Sequence, residues 1–228
     1  MVTQDCAHLS MLTEHHIPVT RTARYFTLGE LTDTTKDIWI VLHGHRQLAG
    51  KFIMQFDELA NAGSLIYAPE GLMRLYIKGD HGDVGASWMT KEDRESDIKD
   101  YVNYLDRLFF DEIEPKAKLN KLNINALGFS QGAATLSRWL TLGRAKVNKA
   151  VFWCGSLAHD LSYADYPEFL KTEIHQVFAS NDPYYKSDFP ESQIQLLKNA
   201  GIQPKSYIFD GGHEISVELM KKAGLLLS

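Results

Sequence analysis

A serine flanked by two glycines is the feature of this sequence that points most directly to chemistry. Residues 128–132 are Gly-Phe-Ser-Gln-Gly, they follow the apolar segment 122–127, and a helix is predicted from Gln131 to about Leu142. A strand that leads through G-x-S-x-G into a helix is typical of a nucleophile elbow, where a strained turn presents the serine hydroxyl. Glycine avoids clashes at such a turn, and the helix N-terminus favours a developing negative charge. Ser130 is therefore the candidate nucleophile; the alternative is a surface serine in an ordinary turn.

A carboxylate and a histidine follow in the chain order that an elbow serine requires. Residues 175–179 are predicted to form a strand that ends at Ser-Asn-Asp-Pro, which places Asp182 in a proline turn. Residues 205–210 are predicted to form the last strand, and Gly-Gly-His follows it, which gives His213. Ordinary turn chemistry or a surface loop would explain either residue alone. Together with Ser130, in this order and at strand ends, they indicate a Ser-Asp-His triad.

The segment near the amino end supplies a candidate oxyanion hole. Residues 37–42 are strongly apolar, are predicted to form a strand, and lead into His-Gly-His-Arg. An oxyanion hole needs two backbone N–H groups that point at one oxygen, and we expect them from His45 and from Gln131, the residue after the serine. His43 comes too early in the chain to be the base, so we interpret it as a structural histidine that holds the loop.

These motifs resemble the phospholipase/carboxylesterase branch of the α/β-hydrolases, a group that includes small bacterial carboxylesterases and acyl-protein thioesterases. The resemblance rests on Leu-His-Gly at 42–44, the elbow at 128–132, Asp-Pro at 182–183 and Gly-His-Glu-Ile at 212–215, with Trp-Met at 88–89 similar to a Trp-Phe pair of the family. It runs from about Tyr25 to the carboxyl end. It implies an α/β-hydrolase fold and an esterase activity that uses Ser130, Asp182 and His213.

One departure from the family pattern lies beside the predicted oxyanion hole. The family usually carries Leu-Gly-Asp after His-Gly, whereas this chain carries His45, Arg46 and Gln47. Arg46 is a candidate to bind a substrate carboxylate or phosphate, with a solvated loop arginine as the alternative. Aromatic residues are also candidate substrate contacts, with core packing as the alternative for each. They are Trp88 and Tyr184, and more generally Tyr76 and Tyr185.

Composition limits the class of protein. The chain has 228 residues, is 44% hydrophobic and has a formal net charge of −5, so nucleic acid and anionic membranes are not expected as main partners. Its two cysteines, Cys6 and Cys154, do not form a disulfide framework, and we interpret Cys154 as a buried structural thiol. The amino end lacks the pattern of a signal peptide, and no segment is long enough to span a bilayer, so we expect a cytoplasmic protein without stable membrane insertion.

The alternation of predicted strands and helices indicates an α/β fold with a mainly parallel, doubly wound sheet and helices on both faces. Residues 16–21 and 23–28 are predicted to be short edge strands, and further strands begin near residues 38, 65, 122, 149, 175 and 205. Helices are predicted near residues 51–62, 91–113, 132–142, 191–200 and 214–226. We expect one α/β-hydrolase domain over residues 1–228, with 1–22 as an amino-terminal edge segment. The segment 71–91 is too short for a large lid and is expected to form part of the pocket rim.

The sequence therefore predicts a serine esterase that acts on a small-molecule carboxylic ester with a small or medium acyl group. No cofactor or metal is expected, because the sequence has no clustered metal-ligand pattern. An acyl-thioesterase or lysophospholipase, a serine peptidase on the same fold, and a non-catalytic binding protein built on a hydrolase fold remain alternatives. The oligomeric state stays open.

Overall fold

A mainly parallel β-sheet forms the centre of the protein. The structure is a computed structural model and describes residues 12–222 and Gly224. The strands of this part of the chain are β1 (Tyr25–Leu28), β2 (Asp37–Leu42), β3 (Ser64–Pro69), β4 (Met73–Tyr76), β5 (Val84–Ser87), β6 (Asn123–Phe129), β7 (Lys149–Trp153), β8 (Glu173–Ala179) and β9 (Lys205–Phe209). Within the described residues the main sheet has the order β1-β3-β2-β6-β7-β8-β9. β1 is antiparallel to β3, and the other neighbouring strands of this sheet are parallel.

Alternate residues of the central strands pack on opposite faces of the sheet. In β2, Ile38, Ile40 and Leu42 belong to one apolar core, whereas Trp39 and Val41 belong to the other. This is the period-two geometry of a strand. All six residues of β2 are buried, because helices cover both faces. The predicted α/β class, with a mainly parallel and doubly wound sheet, is confirmed.

The helices divide between the two faces. The first core is covered by α3 (Arg94–Leu108), α4 (Glu114–Asn120), α5 (Gln131–Leu142), α6 (Pro167–Leu170) and α7 (Phe189–Asn199), and the second by α1 (Ala49–Phe52), α2 (Asp57–Asn61) and α8 (Val217–Lys222). The predicted helix over 91–113 begins at Arg94 and continues through a π-helical turn, Phe109–Ile113, into α4. A 3₁₀ turn, Ile53–Phe56, divides the helix predicted over 51–62. Among the described residues, no helix has the length and apolar character needed to cross a membrane.

The strand predicted over residues 16–21 is wrong. This stretch has no regular structure, and Ile17 and Val19 are 83% and 81% exposed. The alternating pattern finds no neighbouring strand, because β1 already occupies that edge of the sheet by pairing with β3. Cys6 lies outside the described residues, and the single-domain assignment stays a prediction.

A short hairpin between β3 and α3 was not predicted from the sequence. β4 and β5 are antiparallel neighbours, with Met73 opposite Ser87 at one end and Tyr76 opposite Val84 at the other. An isolated bridge between Gln47 and Ala86 attaches the hairpin to the loop that follows β2. The hairpin thereby supports that loop, and the described part of the chain has no large lid domain.

β9 is the carboxyl-terminal edge of the main sheet. Among the described residues it pairs with β8 alone, with His175 opposite Lys205 at one end and Ala179 opposite Phe209 at the other. β9 is only partly covered, and Ile208 is 64% exposed, whereas six of the seven residues of β8 are buried. The outer strand therefore depends on one neighbour and on limited packing.

Glu70 is a buried carboxylate at the end of β3 that joins three segments. It accepts hydrogen bonds from Arg24 at 2.7 and 3.0 Å, from Arg74 at 2.7 Å and from the backbone N–H of Ala49 at 3.2 Å. Its side chain is fully buried, whereas the two arginine side chains are 47% and 38% exposed. Burial by itself raises the pKa of Glu70, but the hydrogen bonds from Arg24 and Arg74 outweigh it, and the net pKa is lowered. Glu70 therefore connects the start of α1 to the edge of the sheet and to the hairpin.

Replacing Glu70 by glutamine keeps the shape of the side chain and removes its charge. We expect Glu70→Gln to lower the free energy of unfolding by about 2 kcal/mol near neutral pH, because a hydrogen bond to a charged group contributes roughly 1.5–3 kcal/mol and the arginines keep part of their hydration. A lowered folded-state pKa stabilises the protein above the unfolded pKa of about 4.3, and this stabilisation is lost as pH falls through the folded value. The difference between variant and parent should therefore shrink in acid, which urea titrations at neutral and acidic pH measure.

The matched control for this prediction is Glu95→Gln. Glu95 pairs with Arg94 at 2.8 Å, but its side chain is 83% exposed, so the change should cost less than about 0.5 kcal/mol. Equal losses of stability in the two variants would contradict the role given to Glu70.

Candidate active site

Ser130 occupies a strained turn between β6 and α5. Its backbone has φ 54° and ψ −119°, a conformation that residues other than glycine rarely adopt. The turn is held because the N–H of Ser130 donates to the carbonyl oxygen of Trp153 at 2.9 Å and the N–H of Ala133 donates to the carbonyl oxygen of Ser130 at 2.9 Å. This is the geometry that a nucleophile elbow requires.

The two glycines around Ser130 are required by close backbone contacts. A Cβ on Gly132 would collide with the carbonyl oxygen of Leu42, and a Cβ on Gly128 would collide with that of Gly132. The elbow is thus pressed against the end of β2. Gly44, in the loop after β2, approaches so closely that a Cβ there would lie 3.0 Å from the Cβ of Ser130.

Asp182 and His213 form a short hydrogen bond close to the elbow. Nδ1 of His213 lies 2.6 Å from Oδ2 of Asp182, whose side chain is fully buried. A carboxylate accepts, so Nδ1 donates and Nε2 is left as the acceptor of the neutral ring. The other Asp182 oxygen accepts the backbone N–H of Tyr184 at 2.9 Å. The His213 ring packs on Phe129, the residue before Ser130, with the ring centroids 4.8 Å apart.

The loops that carry the acid and the histidine are tied to each other. Asp182 follows β8 and His213 follows β9, as the sequence predicted. The N–H of Ser180 donates to the carbonyl oxygen of Phe209 at 2.9 Å, and that of Asn181 to the carbonyl oxygen of Gly211 at 3.0 Å. These bonds continue the pairing of the two strands beyond their ends. The structure thus brings all three predicted triad residues to the carboxyl ends of parallel strands.

Two further polar side chains lie beside Asp182. Cys154 is buried, and its Sγ, an Asp182 oxygen and a His213 ring nitrogen lie within 4.8 Å of one another. Burial, followed by the charge of Asp182, raises the pKa of the Cys154 thiol to about 12. Burial also raises the pKa of Tyr185, next to Cys154 and Asp182, and its hydroxyl has no hydrogen-bond partner among the described residues. For Tyr185 the sequence leaves substrate contact and packing as alternatives, and the structure shows packing beside Asp182 and against Phe189.

The sites that could hold a metal ion are weak candidates for one. In the cluster of Cys154, Asp182 and His213, burial disfavours the thiolate that a metal ion would require, and the Asp182–His213 hydrogen bond already occupies Nδ1 and one carboxylate oxygen. The other cluster, Glu14, His16 and Asp93, consists of exposed surface side chains. The first cluster is better explained as an acid–histidine pair with a neutral thiol beside it.

The two predicted oxyanion donors have free backbone N–H groups. Among the described residues, neither the N–H of His45 nor that of Gln131 donates a hydrogen bond. The Gln131 side chain holds the end of the hairpin in place, because Nε2 donates to the carbonyl oxygen of Met89 at 2.8 Å and Oε1 accepts the N–H of Trp88 at 3.2 Å. Burial and the charge of Arg46 lower the pKa of His45.

His43 anchors the loop after β2, in agreement with its predicted structural role. Its Nε2 accepts the N–H of Gly71 at 3.0 Å, so Nδ1 donates to the carbonyl oxygen of Gly44 at 2.7 Å. Trp88 stacks on the His43 ring at a centroid distance of 5.0 Å and donates from Nε1 to the His43 carbonyl oxygen at 2.8 Å. Burial lowers the pKa of His43 to about 4.

The three candidate substrate contacts have different positions. Trp88 is 1% exposed, which corrects the expectation that it contacts substrate: it is a buried support for the loop. Tyr184 is 78% exposed, and its ring meets that of His213 edge-on at 4.7 Å, so it lies at the rim of the site. Arg46 is exposed and lines a cavity beside the predicted oxyanion loop.

Comparisons with known proteins identify the fold and the family of the chain. A family model described as Phospholipase/Carboxylesterase matches residues 81–227. Similar solved structures include esterase PE8, with a TM-score of 0.69 and 17% identity over 91% of this chain and 98% of that one. A carboxylesterase from Mesorhizobium loti has a TM-score of 0.67 and 17% identity over 90% of this chain and 95% of that one. A Bacillus cereus carboxylesterase has a TM-score of 0.63 and 17% identity over 88% of this chain and 91% of that one. A search of curated proteins found no match. The α/β-hydrolase fold is confirmed.

The buried, neutral His43 predicts a specific dependence of stability on pH. Its folded pKa of about 4 lies below the ordinary histidine value of 6.5, so the unfolded chain binds more protons between these two pH values. Stability is therefore complete above the unfolded pKa and falls as pH drops toward the folded one, by a total of about 3 kcal/mol. We expect His43→Gln to be less stable at neutral pH and to lose less stability on acidification. Urea titrations across this range measure both slopes.

His81→Gln is the control for this prediction, because the His81 side chain is 92% exposed. The free energy of unfolding of His81→Gln should depend on pH in the same way as that of the parent. If His43→Gln also kept the parent slope, the buried neutral state of His43 would be refuted.

Proposed function

This chain belongs to the phospholipase/carboxylesterase family, and from that membership and the geometry of the site we propose that it is a serine hydrolase of carboxylic esters. The observation that carries the proposal is the short Asp182–His213 hydrogen bond, which lies against the residue preceding a serine on a strained elbow. Such a pair has the tautomer that a general base for Ser130 needs, with Nε2 free to accept a proton.

The first half of the proposed reaction forms an acyl-enzyme. Nε2 of His213 takes the proton of Ser130 as Oγ attacks the ester carbonyl, and the imidazolium then gives that proton to the leaving alcohol. Asp182 keeps Nδ1 protonated and stabilises the imidazolium. Ser130 Oγ makes no hydrogen bond among the described residues, so its contact with His213 is part of the proposal.

The backbone N–H groups of His45 and Gln131 stabilise the tetrahedral intermediate in this mechanism. Both N–H groups lack other acceptors in the described structure, and the start of α5 adds a favourable field for negative charge. His43 and Trp88 hold the donor loop through their hydrogen bonds and ring stacking, so these donors need little rearrangement when the charge develops.

Hydrolysis of the acyl-enzyme repeats the same steps with water. His213 removes a proton from the water molecule, the oxyanion forms in the same place, and Ser130 leaves with the proton. The residues proposed for the reaction are Ser130, Asp182 and His213, with main-chain atoms of two others. The chemistry requires no cofactor.

Removing the nucleophile or the acid tests the proposal directly. We expect Ser130→Ala to lose roughly 10³-fold or more of kcat and all labelling by a fluorophosphonate probe. Asp182→Asn should lose on the order of 10⁴-fold, because the amide favours the wrong imidazole tautomer. Ester hydrolysis under saturating substrate measures both effects.

The matched controls are Ser192→Ala and Asp188→Asn, which change exposed residues around the start of α7. Both should keep the parent activity. Undiminished turnover by Ser130→Ala, or a larger loss in Asp188→Asn than in Asp182→Asn, would refute the assigned roles.

The size of the acyl group is a second prediction of the proposal. Since the described residues form a short hairpin in place of a large lid, we expect esters of about two to eight acyl carbons to be hydrolysed best. Each acyl methylene that is buried in the pocket contributes roughly 0.8 kcal/mol to binding, but only while the acyl chain still fits. Values of kcat/KM against acyl length, with and without detergent micelles, check this. A steep preference for palmitoyl esters, or strong activation by micelles, would favour a thioesterase or lipase instead.

A further inference from the structure

A cavity of about 260 Å³ lies between the α1 region and the hairpin formed by β4 and β5. Its polar wall is formed by Arg46, Gln47, Lys51, Gln55 and Asp83. The rest of the lining is mainly aliphatic and aromatic. Two cations, one carboxylate and two amides therefore surround a space that is large enough for a small ligand group.

The cavity adjoins the candidate active site through Gln47. Oε1 of Gln47 accepts the backbone N–H of Gly44 at 2.7 Å. A Cβ on Gly44 would lie 3.1 Å from that oxygen and 3.0 Å from the Cβ of Ser130. Arg46 directly follows His45, the proposed oxyanion donor. The wall of the cavity therefore lies a few ångströms from Ser130, and entry of part of a substrate into the cavity belongs to the proposal.

The cations of the cavity have no anionic partner in the described structure. Neither Arg46 nor Lys51 forms an ion pair with a described residue, whereas most other arginines there do. Asp83 is also unpaired there, so the three charges leave one net positive charge in a chain of net charge −5. The charge of Arg46 contributes to the lowered pKa of His45, which places the guanidinium near the oxyanion loop.

The backbone of Arg46 is fixed in an unusual conformation. Its φ is 64°, and its N–H donates to the carbonyl oxygen of Ala86 at 2.8 Å, while the N–H of Ala86 donates to the carbonyl oxygen of Gln47 at 3.1 Å. The hairpin thereby holds Arg46 in the left-handed region, and strained residues of this kind cluster at ligand sites. The planar guanidinium presents paired N–H groups, which suits the binding of a carboxylate at two points.

We propose that this cavity binds a carboxylate carried by the substrate, so that the preferred esters are those of small dicarboxylic or carboxylated molecules. This inference rests on the proposed ester hydrolysis for its link to turnover. Arg46 binds the carboxylate with two N–H groups, Lys51 adds a second positive charge, and Gln47 and Gln55 complete the polar wall. Asp83 opposes the bound anion and limits its affinity.

A pair of substrates of equal length tests the proposal. Mono-4-nitrophenyl glutarate and 4-nitrophenyl valerate differ in the terminal carboxylate, and the ratio of their kcat/KM values measures its recognition. We expect Arg46→Gln to lower this ratio about tenfold, mainly through KM of the glutarate ester, and Arg46→Gln/Lys51→Gln to lower it further. Asp83→Asn should raise the ratio, since it removes a repulsive charge.

The control variant removes the same positive charge from residues outside the cavity. Arg21→Gln/Lys78→Gln removes two exposed cations that do not line it and should keep the parent ratio. A parallel pair, 3-acetoxybenzoate and phenyl acetate, places the carboxylate on the leaving group and shows which side of the ester enters the cavity. An unchanged ratio for both pairs in Arg46→Gln/Lys51→Gln would overturn the proposal.

Calorimetric titration with glutarate separates this proposal from the proposed reaction. Binding of glutarate to the parent protein that is lost in Arg46→Gln/Lys51→Gln, without hydrolysis of any ester, would support the anion site and refute the esterase. Hydrolysis of the neutral esters without glutarate binding would refute the anion site and leave the esterase intact. Absence of both would refute both.

Discussion

The strained conformation of Ser130 is the constraint on which the rest of the site depends. A φ of 54° is unfavourable for serine, so the fold must hold the turn from several sides. Gly132 lets the end of β2 approach, and Trp153 accepts the Ser130 N–H from the neighbouring strand. The same close approach brings the loop after β2 to the serine. The position of the nucleophile and that of the donor loop are therefore set by one packing arrangement.

The donor loop is supported by groups that take no part in the proposed chemistry. His43 stays neutral because it is buried, so its Nε2 can accept from Gly71 while Trp88 stacks on its ring. The Gln131 side chain links the end of the hairpin to α5, while its main-chain N–H remains free. Glu70 ties the neighbouring α1 to the edge of the sheet. These contacts hold the proposed oxyanion loop in place, as electrostatic preorganisation requires.

The sequence predicts the parts of the structure that local patterns encode. The elbow at Ser130 combines turn residues with an apolar strand, and the positions of Asp182 and His213 follow from strand ends. The hairpin, the support of the loop by Trp88 and the cavity beside Arg46 depend on contacts between distant segments, which no local pattern specifies. The strand expected at residues 16–21 failed for a related reason, because alternation is stable as a strand only where a partner is available.

The position of Asp182 and His213 in the loops after β8 and β9 has a consequence for how the proposed activity would be lost. In the part of the chain that the structure describes, β9 pairs with β8 alone, Ile208 is 64% exposed, and His213 lies in the loop after β9. Segments with few buried contacts open locally at a lower free energy than global unfolding requires. Detachment of β9 would withdraw His213 from Asp182 while the buried strands of the sheet stay paired. Thermal inactivation would then be a sub-global event, reversible on cooling and set by the stability of one edge strand.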